Sequence, residues 1–430
     1  MFSGDVLRSY HTLLPQYGLL GMDKAVDDDS DADDRLFWNT NQPSSVYICG
    51  LQGSGKSHTL SCLLENCLIQ CPSLGKLAQP LSGLVLHYSQ FTSTSYFHPC
   101  EAAFLSMPSP DFPGKTSRVP VTVYCSPSNY HSLSASYGQI PGVTVKRLLF
   151  RPEQLGIATM LQLMAVSNSS AGTLYMSQVT KILRDMASES GVFNFLEFKR
   201  RLEELVLMKD QKNLLDQRMG LLESFLDLTG ETDGCFSFPK GSLTIVDLSC
   251  PFVDEGMACV LFDIFVRIYF ETDAGESAGK VVALDEAHRY MTDTPASKVL
   301  TTSLLGLIRQ QRHFGARIII SSQEPTLDPR LLELSSMLVL HRFTSPQWAR
   351  QLGQHVILEE WDKDGRGLLD RVTGLKTGEA VVFVQNAVLG GEEQGVRKVM
   401  GGFVNIAVRK RVTWDVSFRG RFWGENANQV

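Results

Sequence analysis

The sequence predicts an α/β fold, a mostly parallel sheet covered by helices and interrupted by a helical insertion. Two observations predict it. Short apolar runs rich in Val and Ile recur along the chain, separated by stretches with helical spacing, the pattern of parallel strands buried on both faces. One of these runs, residues 46–49, passes directly into GLQGSGKS (residues 50–57), a glycine-rich string that precedes a predicted helix over 58–71.

That strand–loop–helix junction reads as a phosphate-cradling P-loop. Gly50, Gly53 and Gly55 let the backbone turn tightly, so that N–H groups from Gly50, Leu51, Gln52, Gly53, Ser54, Gly55 and the subsequent Lys56, Ser57 and His58 can face phosphate oxygens. The positive end of the helix points at the same anion. Lys56 would reach the β- and γ-phosphates and the Ser57 hydroxyl would ligate Mg²⁺, which makes ATP and Mg²⁺ the expected cofactors.

Further strands are expected at 84–88, 121–125 and 243–247. The Pro- and Ser-rich stretches 89–117 and 126–136 read as long surface loops. Between them and the later strands lie helical patterns at 153–166, 177–188 and 195–228, the last an apolar stripe with a solvated charged face. The run 281–284 then ends in Asp285-Glu286-Ala287-His288. An acid at the carboxyl end of a buried parallel strand opens into the crevice where α/β sheets bind ligands. Asp285 is expected to hold Mg²⁺ through its water shell, and Glu286 to polarise the water that attacks the γ-phosphate.

Residues 304–325 read LLGLIRQQRHFGARIIISSQEP, a helix that turns at Gly315 into a strand at 317–321. Gln323 would stand at that strand's carboxyl end. In a sheet that sets the P-loop strand beside the Asp285 strand, its amide can touch both γ-phosphate and water. Arg309 and Arg312 either solvate this helix or, for Arg312, reach a neighbouring subunit's nucleotide as an arginine finger. Strands at 337–341 and 379–384 complete the pattern.

These segments resemble the HerA/FtsK family of hexameric P-loop ATPases, and most closely its HerA branch. The resemblance rests on GLQGSGKS, SLTIVDLSCPFVDEGMACVLFDIFVRIYF, KVVALDEAHRYM, IRQQRHFGARIIISSQEPTLDPRLLELSSMLVLHRFTS and GEAVVF, and spans most of residues 43–385. It implies a RecA-like sheet, a homo-oligomeric ring and ATP-driven movement along double-stranded DNA, with a nuclease or other protein as a further partner. By position it gives Lys56, Ser57, Asp285, Glu286 and Gln323 the roles above, and makes Arg312 the trans-acting arginine. Two features depart from the family. The first 42 residues leave no room for the small β-barrel that precedes the P-loop in many HerA-type proteins, and Glu324 stands where such motors commonly carry a basic residue.

The expected organisation is an acidic flexible arm (1–42), a P-loop ATPase domain (43–390, with the helical insertion at about 150–235) and a basic, aromatic extension (391–430). The net charge of −6 resides in the six aspartates of residues 27–34, so the remainder is formally neutral. Between 396 and 421 there are seven Lys or Arg against one Asp, interleaved with aromatics. That mixture suits nucleic acid, through phosphate neutralisation and stacking, and equally an edge docked on a partner subunit. The longest apolar stretch, 257–270, contains Asp263 and Arg267 and is too short to span a bilayer. With no signal-peptide pattern and nine scattered cysteines, the expectation is a soluble intracellular protein that does not engage a membrane.

Overall fold

The computed structural model describes residues 1–26, 32–90, 98–112, 118–165, 172–189, 193–230, 236–272, 279–354, 366–384, 386–391, 395–399 and 402–415. The chain opens with β1 (Phe2–Ser3), α1 (Gly4–Tyr10), β2 (Tyr17–Asp23) and β3 (Arg35–Trp38). It continues through β4 (Ser44–Cys49), α2 (Lys56–Leu68), β5 (Gly75–Lys76), β6 (Ser82–His87), β7 (Val121–Cys125), α3 (Tyr130–Tyr137) and β8 (Val143–Arg147). The insertion carries α4 (Ile157–Ala165), α5 (Gly172–Glu189), α6 (Phe195–Glu203) and α7 (Lys209–Ser224). Then come β9 (Leu243–Asp247), α8 (Glu255–Glu271), β10 (Lys280–Leu284), α9 (Pro295–Arg309), α10 (Gln311–Phe314), β11 (Ala316–Ser322) and α11 (Pro329–Glu333). The last elements are β12 (Met337–Leu340), α12 (Pro346–Gly353), α13 (Arg366–Thr373), β13 (Glu379–Val384), β14 (Ala387–Gly391), β15 (Gly395–Val399) and β16 (Phe403–Val408).

The sixteen strands among the described residues join one sheet, in the order β15-β14-β1-β3-β2-β16-β13-β12-β4-β11-β10-β6-β9-β7-β8, with β5 against β2. From β12 to β8 every pairing is parallel. Successive side chains on these strands enter opposite cores. On β4, Tyr47 and Cys49 pack with α8, α9 and the insertion helices, whereas Val46 and Ile48 pack with α2 and α3. Each such Val, Ile or Leu contributes about 1.5–3 kcal/mol by leaving water. Two of the covering helices, α8 and α9, start on side-chain caps. The Asp254 side chain accepts from the Met257 N–H at the head of α8, and Thr294 with Pro295 begins α9. None of the described helices is long and apolar enough to cross a membrane.

Several expectations change. Residues 1–26 and 32–42 are no loose arm: β1, β2 and β3 enter the sheet, and Phe2, Leu20, Leu36, Phe37 and Trp38 are buried. Their partners β14 and β16 lie more than 340 residues downstream, so hydrophobic pattern alone does not reveal the pairing. Most of the aspartate run lies outside the described residues, and Asp33 within it is bound by Arg35. The stretch 126–136 forms most of α3, and a 3-10 turn at Glu101–Ser106 buries Ala102, Ala103, Phe104 and Leu105. Their small and aromatic residues cover the α2 face of the sheet. The single helix expected over 195–228 is two, because Leu205 and Leu207 turn inward against the core between α6 and α7. β13 runs antiparallel to β12.

The basic C-terminal segment is also not a free cationic surface over its described length. Arg409 and Arg411 are buried against Glu65 of α2, which is wholly buried. Arg409 Nη1 lies 2.6 Å from Glu65 Oε2, and the Thr413 N–H and hydroxyl donate to Oε1 at 2.9 and 2.5 Å. Arg409 donates further to the carbonyls of Leu19 and Cys62. One carboxylate, with Arg409, thereby joins β2, α2 and the C-terminal segment. Burial opposes its charge, and the two guanidinium groups overcome that and hold the Glu65 pKa below the usual range. Residues 416–430, with the remaining aromatics of that segment, lie outside the described residues.

Glu65→Ala would leave the buried Arg409 without a carboxylate partner, while Arg411 keeps Glu101 at 3.1 Å, and should cost about 3–5 kcal/mol of stability. Urea unfolding measures it, and a loss under about 1 kcal/mol would deny Glu65 this structural role.

Candidate active site

The parallel register brings the predicted residues to one edge. Ile48 pairs with Ser321, Ile320 with Leu284, and Leu284 with Leu86, so β4, β11, β10 and β6 end together. The segments that leave these strands are therefore neighbours: the glycine-rich loop after Cys49, Gln323 after Ser322, Asp285 and Glu286 after Leu284, and His87 closing β6. β11 lies between β4 and β10, so the P-loop strand is not beside the Asp285 strand, contrary to the expectation from sequence. This order sets Gln323 just past the end of the strand between the other two.

The loop closes on itself. The Ser54 hydroxyl donates to the Leu51 carbonyl at 2.7 Å, and Lys56 Nζ donates to the same carbonyl at 3.0 Å. Gln52 and Gly53 are exposed at the tip, Leu51, Ser57 and His58 are half-buried, and Lys56 is buried. Burial lowers the Lys56 pKa, with Glu286 and Asp285 pulling it back. Gly55 has φ 114°, a conformation costly for any side chain. At Gly50 a Cβ would sit 2.6 Å from the Cβ of His341.

His341 was not anticipated. It follows β12, is wholly buried, donates from Nδ1 to the Glu379 carbonyl at 2.9 Å, and accepts at Nε2 from the Thr59 hydroxyl at 2.9 Å. Burial holds it neutral and depresses its pKa to about 4. His58 is turned differently. Its ring meets Asp415 at 2.9 Å and the Arg409 carbonyl at 2.8 Å. Burial disfavours its charge, but the Asp415 carboxylate, Cys62 and the Arg409 carbonyl together outweigh that and lift its pKa to about 11. Its side chain is thus committed to the C-terminal segment, leaving the backbone to face a ligand.

Asp285 is buried, and its Oδ2 receives His87 Nδ1 at 3.1 Å and Cys100 Sγ at 3.7 Å. Its Oδ1 has no hydrogen-bond partner among the described residues. Burial would raise this carboxyl's pKa, but His87, Cys100 and Lys56 together bring it below the ordinary value. Glu286 is the non-glycine residue with positive φ (50°) among those described, a strained geometry of order 1–3 kcal/mol that such sites retain. Gln323 Nε2 donates to its Oε2 at 2.9 Å, and Arg289 Nε stands 3.4 Å from that oxygen. The Gln323 N–H donates to His288 Nδ1 at 3.2 Å, and burial keeps His288 below its usual pKa. A glutamate of strained backbone, an unpartnered carboxylate oxygen, an ammonium and a glycine-rich loop thus share one edge among the described residues.

Arg312 is elsewhere. It is exposed on α10, before the amino end of the seven-residue β11, whereas Gln323 follows the carboxyl end. The strand separates them by about 20 Å, so Arg312 does not reach this chain's own site. His87, Cys100 and His341 are polar residues of the site that sequence pattern did not single out. For His87 and His341 the available signal was a lone imidazole closing an apolar strand, LVLH and MLVLH.

No protein-family model and no curated protein matches the sequence. Solved structures similar to the chain include VirB4 of Thermoanaerobacter pseudethanolicus, 12% identical with a TM-score of 0.47 over 92% of this chain and 97% of that one. The bacterial conjugative coupling protein TrwBdeltaN70 is 13% identical, with a TM-score of 0.43 over 87% and 88%. The genome packaging NTPase B204 from Sulfolobus turreted icosahedral virus 2, in complex with ATP-gammaS, is 10% identical, with a TM-score of 0.32 over 84% and 97%.

His341 makes stability depend on pH. Above the unfolded value of about 6.5 both states are neutral and its contribution is complete. As pH falls from there to about 4 the unfolded chain takes up a proton that the fold excludes, so stability declines across that window. Urea unfolding should show a steeper fall across this window in the wild type than in His341→Gln, in which His288 still contributes. Parallel pH profiles would refute it.

Proposed function

We propose that this chain is an ATP-binding, ATP-hydrolysing P-loop motor of the HerA/FtsK type, working as a hexameric ring that translocates or unwinds DNA. The observation that carries the reading is the Glu286–Gln323 hydrogen bond of 2.9 Å, formed on the sheet edge where the glycine-rich loop and Lys56 also end. A phosphate chain lying along residues 50–57 would present its terminal group to this pair. Lys56 would exchange the Leu51 carbonyl for phosphate oxygens. Glu286 would accept a proton from the attacking water, and Gln323, which now occupies that carboxylate, would release it on contact with the γ-phosphate.

Asp285 Oδ1, buried without a described partner, and the Ser57 hydroxyl are hard oxygen donors that suit Mg²⁺. Bound there, Mg²⁺ would neutralise charge developing on the phosphates. Arg312, exposed and remote from its own chain's site, fits a finger that serves the neighbouring protomer. An alternative is an ATP-driven switch acting on protein partners. The burial of Arg409 and Arg411 favours it, since these cations are withdrawn from any DNA-facing surface.

Lys56→Ala should lose nucleotide affinity by an order of magnitude or more, measured with a fluorescent ATP analogue, and unaltered binding would refute the P-loop assignment. Glu286→Gln should bind ATP normally while turnover falls at least about 100-fold, in keeping with loss of a general base; wild-type turnover would exclude Glu286 as that base. Steady-state hydrolysis should rise on adding duplex DNA and lose that rise as salt increases. A response flat at low salt would transfer the reading to the protein-directed switch.

A further inference from the structure

His87, Cys100 and Asp285 come from three separate parts of the chain and meet beneath the sheet edge. One ligand atom from each lies within 4.8 Å of the others. His87 Nδ1 and Cys100 Sγ converge on the same oxygen, Asp285 Oδ2. The supports are rigid. His87 closes β6, Asp285 follows its parallel neighbour β10, and the Cys100 N–H donates at 2.8 Å to Tyr137 Oη, which in turn donates at 2.6 Å to Asp247. Imidazole, thiolate and carboxylate form a donor set that zinc-class ions favour over Mg²⁺, at bond lengths of about 2.0–2.3 Å. The separations of 3.1 Å from His87 Nδ1 and 3.7 Å from Cys100 Sγ to Asp285 Oδ2 are of the order two ligands on one such ion show. Asp285 Oδ1, orphaned and buried, offers the same ion a further oxygen.

We propose that His87, Cys100 and Asp285 form a zinc-class metal site that, when occupied, takes Asp285 away from Mg²⁺ and holds hydrolysis off. Binding breaks no covalent bond except S–H and N–H. The Cys100 thiol proton and the proton that His87 shares with Asp285 pass to solvent, and no electron is transferred. The site stands on these ligands alone, whereas its inhibitory effect rests on the proposed ATPase activity.

The test uses metal-free full-length protein without nucleotide, titrated with Zn²⁺ against a chromophoric chelator and separately with Co²⁺. One zinc per chain should resist the chelator, and Co²⁺ should give a thiolate-to-metal absorption in the near ultraviolet. Both should vanish in Cys100→Ser. His87→Gln should independently lose the zinc equivalent, which guards against misfolding of the cysteine variant. No retained zinc, or a cobalt–thiolate band that survives Cys100→Ser, overturns the site. In wild-type protein, one equivalent of zinc should then lower Mg²⁺-ATP turnover at least tenfold, reversibly on chelation. Full turnover with zinc bound overturns the inhibitory role. Because zinc binding is measured without ATP, a chain that retains zinc but never hydrolyses ATP counts against the ATPase reading alone.

Discussion

The common end-point of β4, β11, β10 and β6 is the constraint on which the rest depends. Parallel strands put every carboxyl terminus on the same side, and the observed register ends these four within a residue or two of one another. A one-residue slip of β10 would carry Asp285 and Glu286 about 3.3 Å along the edge and turn each to the opposite face. Both faces of these strands are dry, so the helices that bury Val282 and Leu284 on one side and Val281 and Ala283 on the other specify the register. The chemistry of the edge is thus maintained by apolar packing some distance beneath it.

Polar groups gather at that edge under unusual conditions. Lys56, Asp285 and His341 are buried; burial lowers the pKa of Lys56 and of His341, whereas the neighbours of Asp285 outweigh burial and lower its own. In such surroundings a well-placed donor counts for more than in water, and an unpaired one costs more. The two oxygens of Asp285 divide accordingly, one bound by His87 and Cys100 and one without a partner among the described residues. The strained backbone of Glu286 turns its carboxylate toward Gln323 and Arg289. At a second location, Glu65 and Arg409 join α2 to β2 and to the segment around Thr413.

The features legible in the residues have a local cause. Glycines that relieve positive φ, a lysine and serine that open a helix, and two acids after a β-branched run each carry their meaning within a few positions, and the strands at 121–125, 243–247 and 379–384 coincide with those expected. The tertiary structure decided what depends on distant partners. It placed β11 between β4 and β10, built the N-terminal strands into a sheet completed by β14 and β16, and buried Arg409 and Arg411 on Glu65. It also brought His87 to Cys100 and Asp285, and His341 beneath Gly50. The physical reason is the range of the interactions. Backbone conformation and hydrophobic period are properties of neighbouring residues, whereas strand order and the pairing of buried charges arise only when segments hundreds of residues apart exclude water together.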